Sequence, residues 1–142
     1  MNVPNLRSCH DTVGGIVYLG RMLDKIRLHA QDKLPADYHA NLGKGFDGRC
    51  CSFLQVAYDD VVARVTQGGT DDELLQWCFQ KGRKPTDEEI EIWNHFMRKS
   101  GWRDGGSERL AQRLKESGLT HRTDIQTFFD YIDADEGRPP RG

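Results

Sequence analysis

Apolar residues recur at spacings of three and four along most of this chain, the repeat of a helix with one buried face. Between Val13 and Leu34 that face carries Ile16, Leu19, Leu23, Ile26 and Ala30. Arg21, Asp24, Lys25 and Asp32 fall mostly off it and are expected in water. Asp11 or Thr12 is placed to cap the start of this helix. Gly14, Gly15 and Gly20 lie inside the stretch. A glycine in a helix costs about 0.5–1 kcal/mol relative to alanine, so three of them predict close approach by another backbone. Pro35 ends the element, and Tyr58, Val61, Val62 and Val65 form a second stripe that Gly68 and Gly69 stop.

Two nearly matching helix starts follow, "TDDELLQW" from Thr70 and "TDEEIEIW" from Thr86. In each, the threonine hydroxyl can accept from the third helical amide while Glu73 or Glu89 reaches back, a capping box whose extra acids suit the positive end of the helix dipole. Leu74, Leu75, Cys78 and Phe79 supply the first buried face; Ile90, Trp93 and Met97 supply the second, with Ile92 and Phe96 widening it. Ser107 is expected to cap a helix carrying Leu110, Ala111 and Leu114 that "SG" at 117–118 ends. Thr123 with Gln126 is expected to cap the last helix, lined by Ile125, Phe128, Phe129 and Ile132. No stretch alternates as a strand. The pattern predicts an all-α fold, a compact single-domain bundle of about six helices spanning 1–142. It has a Gly-rich irregular segment near residues 35–52 and a polar, flexible tail at 137–142.

A chain of 142 residues can bury about 70% of its unfolded surface and needs no disulfide or metal staple. No apolar run approaches the ~20 residues of a membrane span. "MNVPNLRSCH" lacks the basic and apolar regions of a secretory signal, so the expected location is the cytosol. The four cysteines at 9, 50, 51 and 78 are then expected as thiols, and adjacent Cys50 and Cys51 cannot close an unstrained disulfide. A net charge of −2 argues against a general nucleic-acid binder and no membrane partner is indicated. The charge is nevertheless uneven: residues 98–122 hold seven Lys or Arg against three acids, and residues 124–136 hold five acids and no base. A nucleic-acid contact through 98–122 is accordingly the third reading of function.

The stretch "HANLGKGFDGRCC" at 39–51 concentrates the candidate chemistry. "GKGFDG" matches GxGxxG in letters, but no strand precedes it and no βαβ unit surrounds it, so its glycines are read as permitting positive φ in a packed loop. Lys44 and Arg49 could attract an anion if Arg21, Lys25 or Arg27 of the first helix joined them. Cys50 or Cys51, Cys50 the more so, could act as a nucleophile if His39 stood within reach and Arg49 favoured the thiolate. Set against that, Cys50 and Cys51 begin the apolar "CCSFL" run and read first as small buried hydrophobes, Cys51 the more clearly. Cys9, His10, His29, His39, Cys50 and Cys51 lack the short paired spacings of structural zinc, and no metal is expected. Trp93 reads as core, His95 as solvated, and Trp102, beside Arg98, Lys99 and Arg103, as packed over a helix end or stacked on a partner. The contact surface expected from these residues is Arg21, Lys25, His39, Asn41, Lys44, Asp47, Arg49 and Cys50. Its partner would be a small anion or a protein; the sequence names no cofactor. A binding or regulatory module is the first reading, and a small enzyme using a Cys–His thiol site the second.

Several runs together carry a resemblance: "PNLRS" from Pro4, "VGGIVYLGRMLDKIRL" from Val13, "DYHANLGKGFDGRCC" from Asp37, "GGTDDELLQWCF" from Gly68 and "DEEIEIWNHFMRKSGW" from Asp87. They resemble the bacterial domain-of-unknown-function family 5069 over nearly the whole chain. The resemblance implies a soluble bacterial protein and no assigned catalytic residues. Cys9 and His10 depart from the family pattern, so a family metal site should not rest on them.

Overall fold

The computed structural model describes residues 2–141 and is mostly helical. Its helices are α1 (Leu19–Ala30), α2 (Phe46–Leu54), α3 (Tyr58–Thr66), α4 (Asp71–Lys81), α5 (Asp87–Lys99), α6 (Ser107–Glu116) and α7 (Phe128–Asp135), with a 3-10 turn at Ala36–Asn41. A two-stranded antiparallel hairpin, β1 (Thr12–Val13) and β2 (Ile16–Val17), precedes α1, with Val13 opposite Ile16.

That hairpin corrects the expected first helix, which starts six residues later than Val13, and neither Asp11 nor Thr12 caps it. Gly14 and Gly15 both take positive φ, 59° and 78°, the conformation that turns a tight hairpin back on itself. The close approach at these glycines is by side chains and not by the expected backbone: a Cβ on Gly14 would stand 2.4 Å from Leu75 Cδ2, and one on Gly20 2.9 Å from Arg7 Cζ. Two-residue strands are too short to show a period in sequence. Their exposed edge groups are satisfied by α5: Asn94 Oδ1 accepts from the Val17 amide, Asn94 Nδ2 donates to the Gly15 carbonyl, and Trp93 Nε1 donates to the Val17 carbonyl. Tyr18, with φ 74°, then feeds α1 without a capping side chain.

Helix α1 is the central element. Leu19, Met22 and Leu23 are fully buried with Ile16, Leu54, Leu74, Met97 and Phe129, but so, nearly, are Arg21, Asp24 and Lys25, which were expected in water. Each of these three has an opposite charge at contact distance, the condition under which burial of an ion is tolerated: Glu136 for Arg21, Arg7 for Asp24, and Asp47 for Lys25.

The segment at 35–52 is more regular than its composition suggests. Gly43 and Gly45, at φ 76° and 56°, turn the chain out of the 3-10 turn, and α2 begins at Phe46 within the supposed irregular stretch. Both capping boxes form: Thr70 and Glu73 exchange hydrogen bonds of 3.2 and 3.1 Å, and Thr86 and Glu89 bonds of 3.1 and 2.9 Å. The other two expected caps move. Gly106 occupies the N-cap of α6, while Ser107 Oγ accepts from the Asp104 amide and donates to the Gly101 carbonyl. Thr127, not Thr123, caps α7, because the amide of Phe128 is already held by the Ser100 carbonyl and the turn before it absorbs residues 119–126.

On α5 only Trp93 and Met97 are buried; Ile92 is 61% and Phe96 48% exposed, so they do not widen the core face. Trp93 stacks on Phe53 instead, at 4.6 Å between centroids. Trp102 is also exposed and carries the Arg103 guanidinium over its ring. The described part of the expected tail makes contacts, with Arg138 donating to the Leu6 carbonyl and Arg141 pairing with Asp11 at 3.5 Å. Gly142 lies outside the described residues. Among the described residues no helix is long and apolar enough to cross a membrane.

Candidate functional site

Tyr18, Arg21 and Lys25 follow one another at helical spacing on a single face of α1, and that face is the floor of a cleft of about 610 Å³. One wall comes from Tyr38 and Asn41 of the 3-10 turn, Lys44 and Gly45 of the loop, and Phe46 and Arg49 of α2. Arg109 and Arg113, one turn apart on α6, join Phe128, Tyr131 and Ile132 of α7 in the other. Phe46 and Phe128 meet edge to face at 6.0 Å, tying the walls together at their base. A second recess, between Asp130 and Pro139–Pro140, is far smaller, at about 40 Å³.

The floor is a set of closed ion pairs. Lys25 Nζ lies 2.7 Å from Asp47 Oδ1 and donates to Tyr18 Oη at 3.0 Å; the Tyr18 hydroxyl donates to the same carboxylate oxygen at 2.7 Å. Asp47 Oδ2 accepts from the Gly43 amide at 3.0 Å, so the loop glycines bring a backbone donor to a wholly buried acid. Burial and the neighbouring Asp47 charge push the Tyr18 phenol well up, and it stays protonated. Arg21 grips Glu136 with two bonds of 2.9 and 2.7 Å, Tyr38 donates to Glu136 at 2.7 Å, and Arg138 donates to it as well. Burial alone would raise the Glu136 carboxyl, but the Arg21 hydrogen bonds and charge outweigh it and hold the group at about 2.

The rim is different. Lys44, Arg49, Arg109 and Arg113 form no ion pair with any carboxylate among the described residues, and Arg49 rests only over the Phe96 ring, at 5.3 Å. Arg109 and Arg113 are like charges at i,i+4, an arrangement that weakens a helix slightly when nothing neutralises it. The lining holds six cations against Asp37, Asp135 and Glu136, on a chain whose net charge is −2. Arg21 and Lys25 are answered at the floor; the rim's positive field faces solvent.

Of the residues expected from sequence, Arg21, Lys25, Asn41, Lys44 and Arg49 line this cleft, and Asp47 lies beneath it bonded to Tyr18 and Lys25. His39 and Cys50 do not line it. His39 is exposed, its Nε2 2.9 Å from the Leu34 carbonyl and its ring against His29. Cys50 is fully buried, and burial, then the Cys51 and Asp47 charges, push its thiol well up; Cys51 is pushed up to about 12 by burial and Asp47. A thiol held protonated in the core is a poor nucleophile, so the geometry gives the Cys–His reading no support. All four cysteines are free and buried. Among the described residues no three His, Cys, Asp or Glu side chains converge as metal ligands. Sequence reasoning missed Tyr38, Phe46, Arg109, Arg113, Phe128 and Tyr131. For Arg109 and Arg113 the available signal was the basic stretch at 98–122; the four aromatic residues had none, because partly buried aromatics read as core in sequence.

A helical protein organised around one cationic, aromatic-lined cleft is the class that fold and site define. The chain belongs to the family described as "Domain of unknown function (DUF5069)", whose profile matches residues 3–138. Among curated proteins none matches the chain significantly.

Proposed function

We propose that this protein is a binding module for a small anion, taken up in the cleft between α1, the 41–49 segment, α6 and α7. The observation that carries this reading is the contrast in charge pairing: Arg21 and Lys25 each have a buried carboxylate, whereas Lys44, Arg49, Arg109 and Arg113 form no ion pair among the described residues. Lys44, Arg49, Arg109 and Arg113 repel one another across the concavity more than Asp37 and Asp135 of the same lining offset, and an anion relieves that repulsion. Hydrogen bonds to charged groups contribute about 1.5–3 kcal/mol each, so loss of one arginine lowers affinity about tenfold to a hundredfold. A cytosolic location belongs to the same proposal, supported by cysteines that remain thiols.

Titration calorimetry with inorganic pyrophosphate at low ionic strength tests the reading. Saturable binding that weakens as salt is raised, and that Lys44→Ala and Arg113→Ala each reduce, is the expected result. Absence of saturable binding by pyrophosphate and by organic phosphates alike would refute it.

A further inference from the structure

We infer that the anion is a ring-bearing phosphate of the nucleoside-phosphate class, an inference that rests on the anion-binding reading above and narrows it. Three features of the cleft exceed what a simple inorganic anion requires. Its volume, about 610 Å³, falls in the middle of the range that encloses an organic ligand, and a bare phosphate would leave most of it to water. Its lining is aromatic at several independent places: Tyr38 from the 3-10 turn, Phe46 from α2, and Phe128 and Tyr131 from α7, with Ile132 beside them. All five are partly exposed rather than sealed in the core, so each retains surface that a ligand can cover. A planar base stacked on such a side chain gains about tenfold to a hundredfold in affinity whatever its hydrogen-bonding edge, because every base presents a π-face.

The charge of the rim points to phosphate rather than carboxylate. Four cations without a carboxylate partner ask for more than the single negative charge of a carboxylate. A phosphate monoester carries about −1.5 to −2 at neutral pH, and a diphosphate more. Arg109 and Arg113, one helical turn apart on the same wall, present two guanidinium forks, the geometry that grips phosphate oxygens in pairs. Lys44 and Arg49 add two further cations to the opposite wall. The floor supplies orientation. Lys25 spends two of its three ammonium protons on Asp47 and Tyr18, which leaves the third for a ligand oxygen. Asn41 adds an amide able to donate or accept at the edge of a ring.

Calorimetry on the full chain with four probes separates the components: pyrophosphate for charge alone, adenosine for a ring alone, and adenosine and uridine diphosphates for both. At least one of the nucleoside diphosphates is expected to bind ten times or more tighter than pyrophosphate, and adenosine to bind far more weakly than either. Phe128→Leu keeps an apolar side chain and removes the ring; it is expected to cost nucleoside diphosphate binding about tenfold and pyrophosphate binding far less. Arg113→Gln is expected to weaken pyrophosphate and nucleoside diphosphate alike. Tyr131→Leu provides the same ring test should Phe128→Leu not fold, as judged by its denaturant midpoint. Pyrophosphate binding with no gain from either nucleoside, or a gain untouched by both ring variants, overturns this inference and leaves the anion reading standing. Failure of all three phosphates overturns both.

Discussion

Helices α1 and α6 both turn cationic side chains toward the same cleft, and they treat those charges in opposite ways. On α1, Arg21 and Lys25 are nearly buried and each is locked to a carboxylate, Glu136 and Asp47. On α6, Arg109 and Arg113 stand at the wall with no carboxylate partner among the described residues. A charge removed from water must be neutralised where it sits, so the α1 pairs are structural; a charge left at the surface can wait for a ligand. The floor of the cleft is thus built by folding, and the rim is open for recognition.

The largest expected effect tests the structural half. Asp47→Asn removes the negative charge beneath Lys25 while keeping the shape of the side chain. Leaving one member of a buried pair uncompensated costs about 3–5 kcal/mol, visible as a lower urea midpoint. Adding Lys25→Met to that variant should recover most of the loss, since an apolar pair replaces a broken ionic one. No recovery in the double variant would break the comparison, because Asp47 would then matter for something other than Lys25.

A smaller effect is expected from acid. Glu136 is held at about 2, below the ordinary glutamate value of 4.5, chiefly by Arg21 against the opposing effect of burial. A depressed carboxyl stabilises the folded state fully above the unfolded value and loses that contribution as pH falls. The loss therefore runs from about pH 4.5 down toward 2 and amounts to about 2 kcal/mol after allowance for solvent screening. Denaturant midpoints measured between pH 6 and 2.5 should show this slope in the parent chain and a shallower one in Glu136→Gln. Equal slopes would remove Glu136 from the account.

The smallest effect concerns α6. In ligand-free protein Arg113→Gln is expected to leave stability unchanged or to raise it by about 0.2–0.5 kcal/mol, because it relieves the like-charge contact with Arg109. A clear loss of stability would show that Arg113 is structural too, and the contrast between the two helices would fail.

Local signals carried the middle of the chain. The capping boxes at Thr70 and Thr86, the stripes of α3 and α4, and the stop at Gly68 are written within a few residues of one another, and each has its physical partner one turn away. The candidate site was legible in part for a similar reason: Asn41, Lys44, Asp47 and Arg49 lie together in sequence, and α1 was the neighbour suspected for them. The hairpin at Thr12–Val17 was not, since its strands are too short to show a period and its edges are completed by Asn94 and Trp93 far along the chain.

Composition and periodicity by themselves determined that the protein is helical, where α3, α4 and α5 lie, and that the 41–49 segment carries charge worth testing. Only the tertiary structure decided which charges are neutralised and which stand ready. Hydrophobic periodicity separates apolar from polar faces, but it cannot say that Arg21 will meet Glu136, 115 positions away, or that Arg109 and Arg113 will form no ion pair among the described residues. Periodicity is set by neighbours one turn apart, whereas the fate of a buried or a solvent-facing charge depends on which distant segment the fold brings against it.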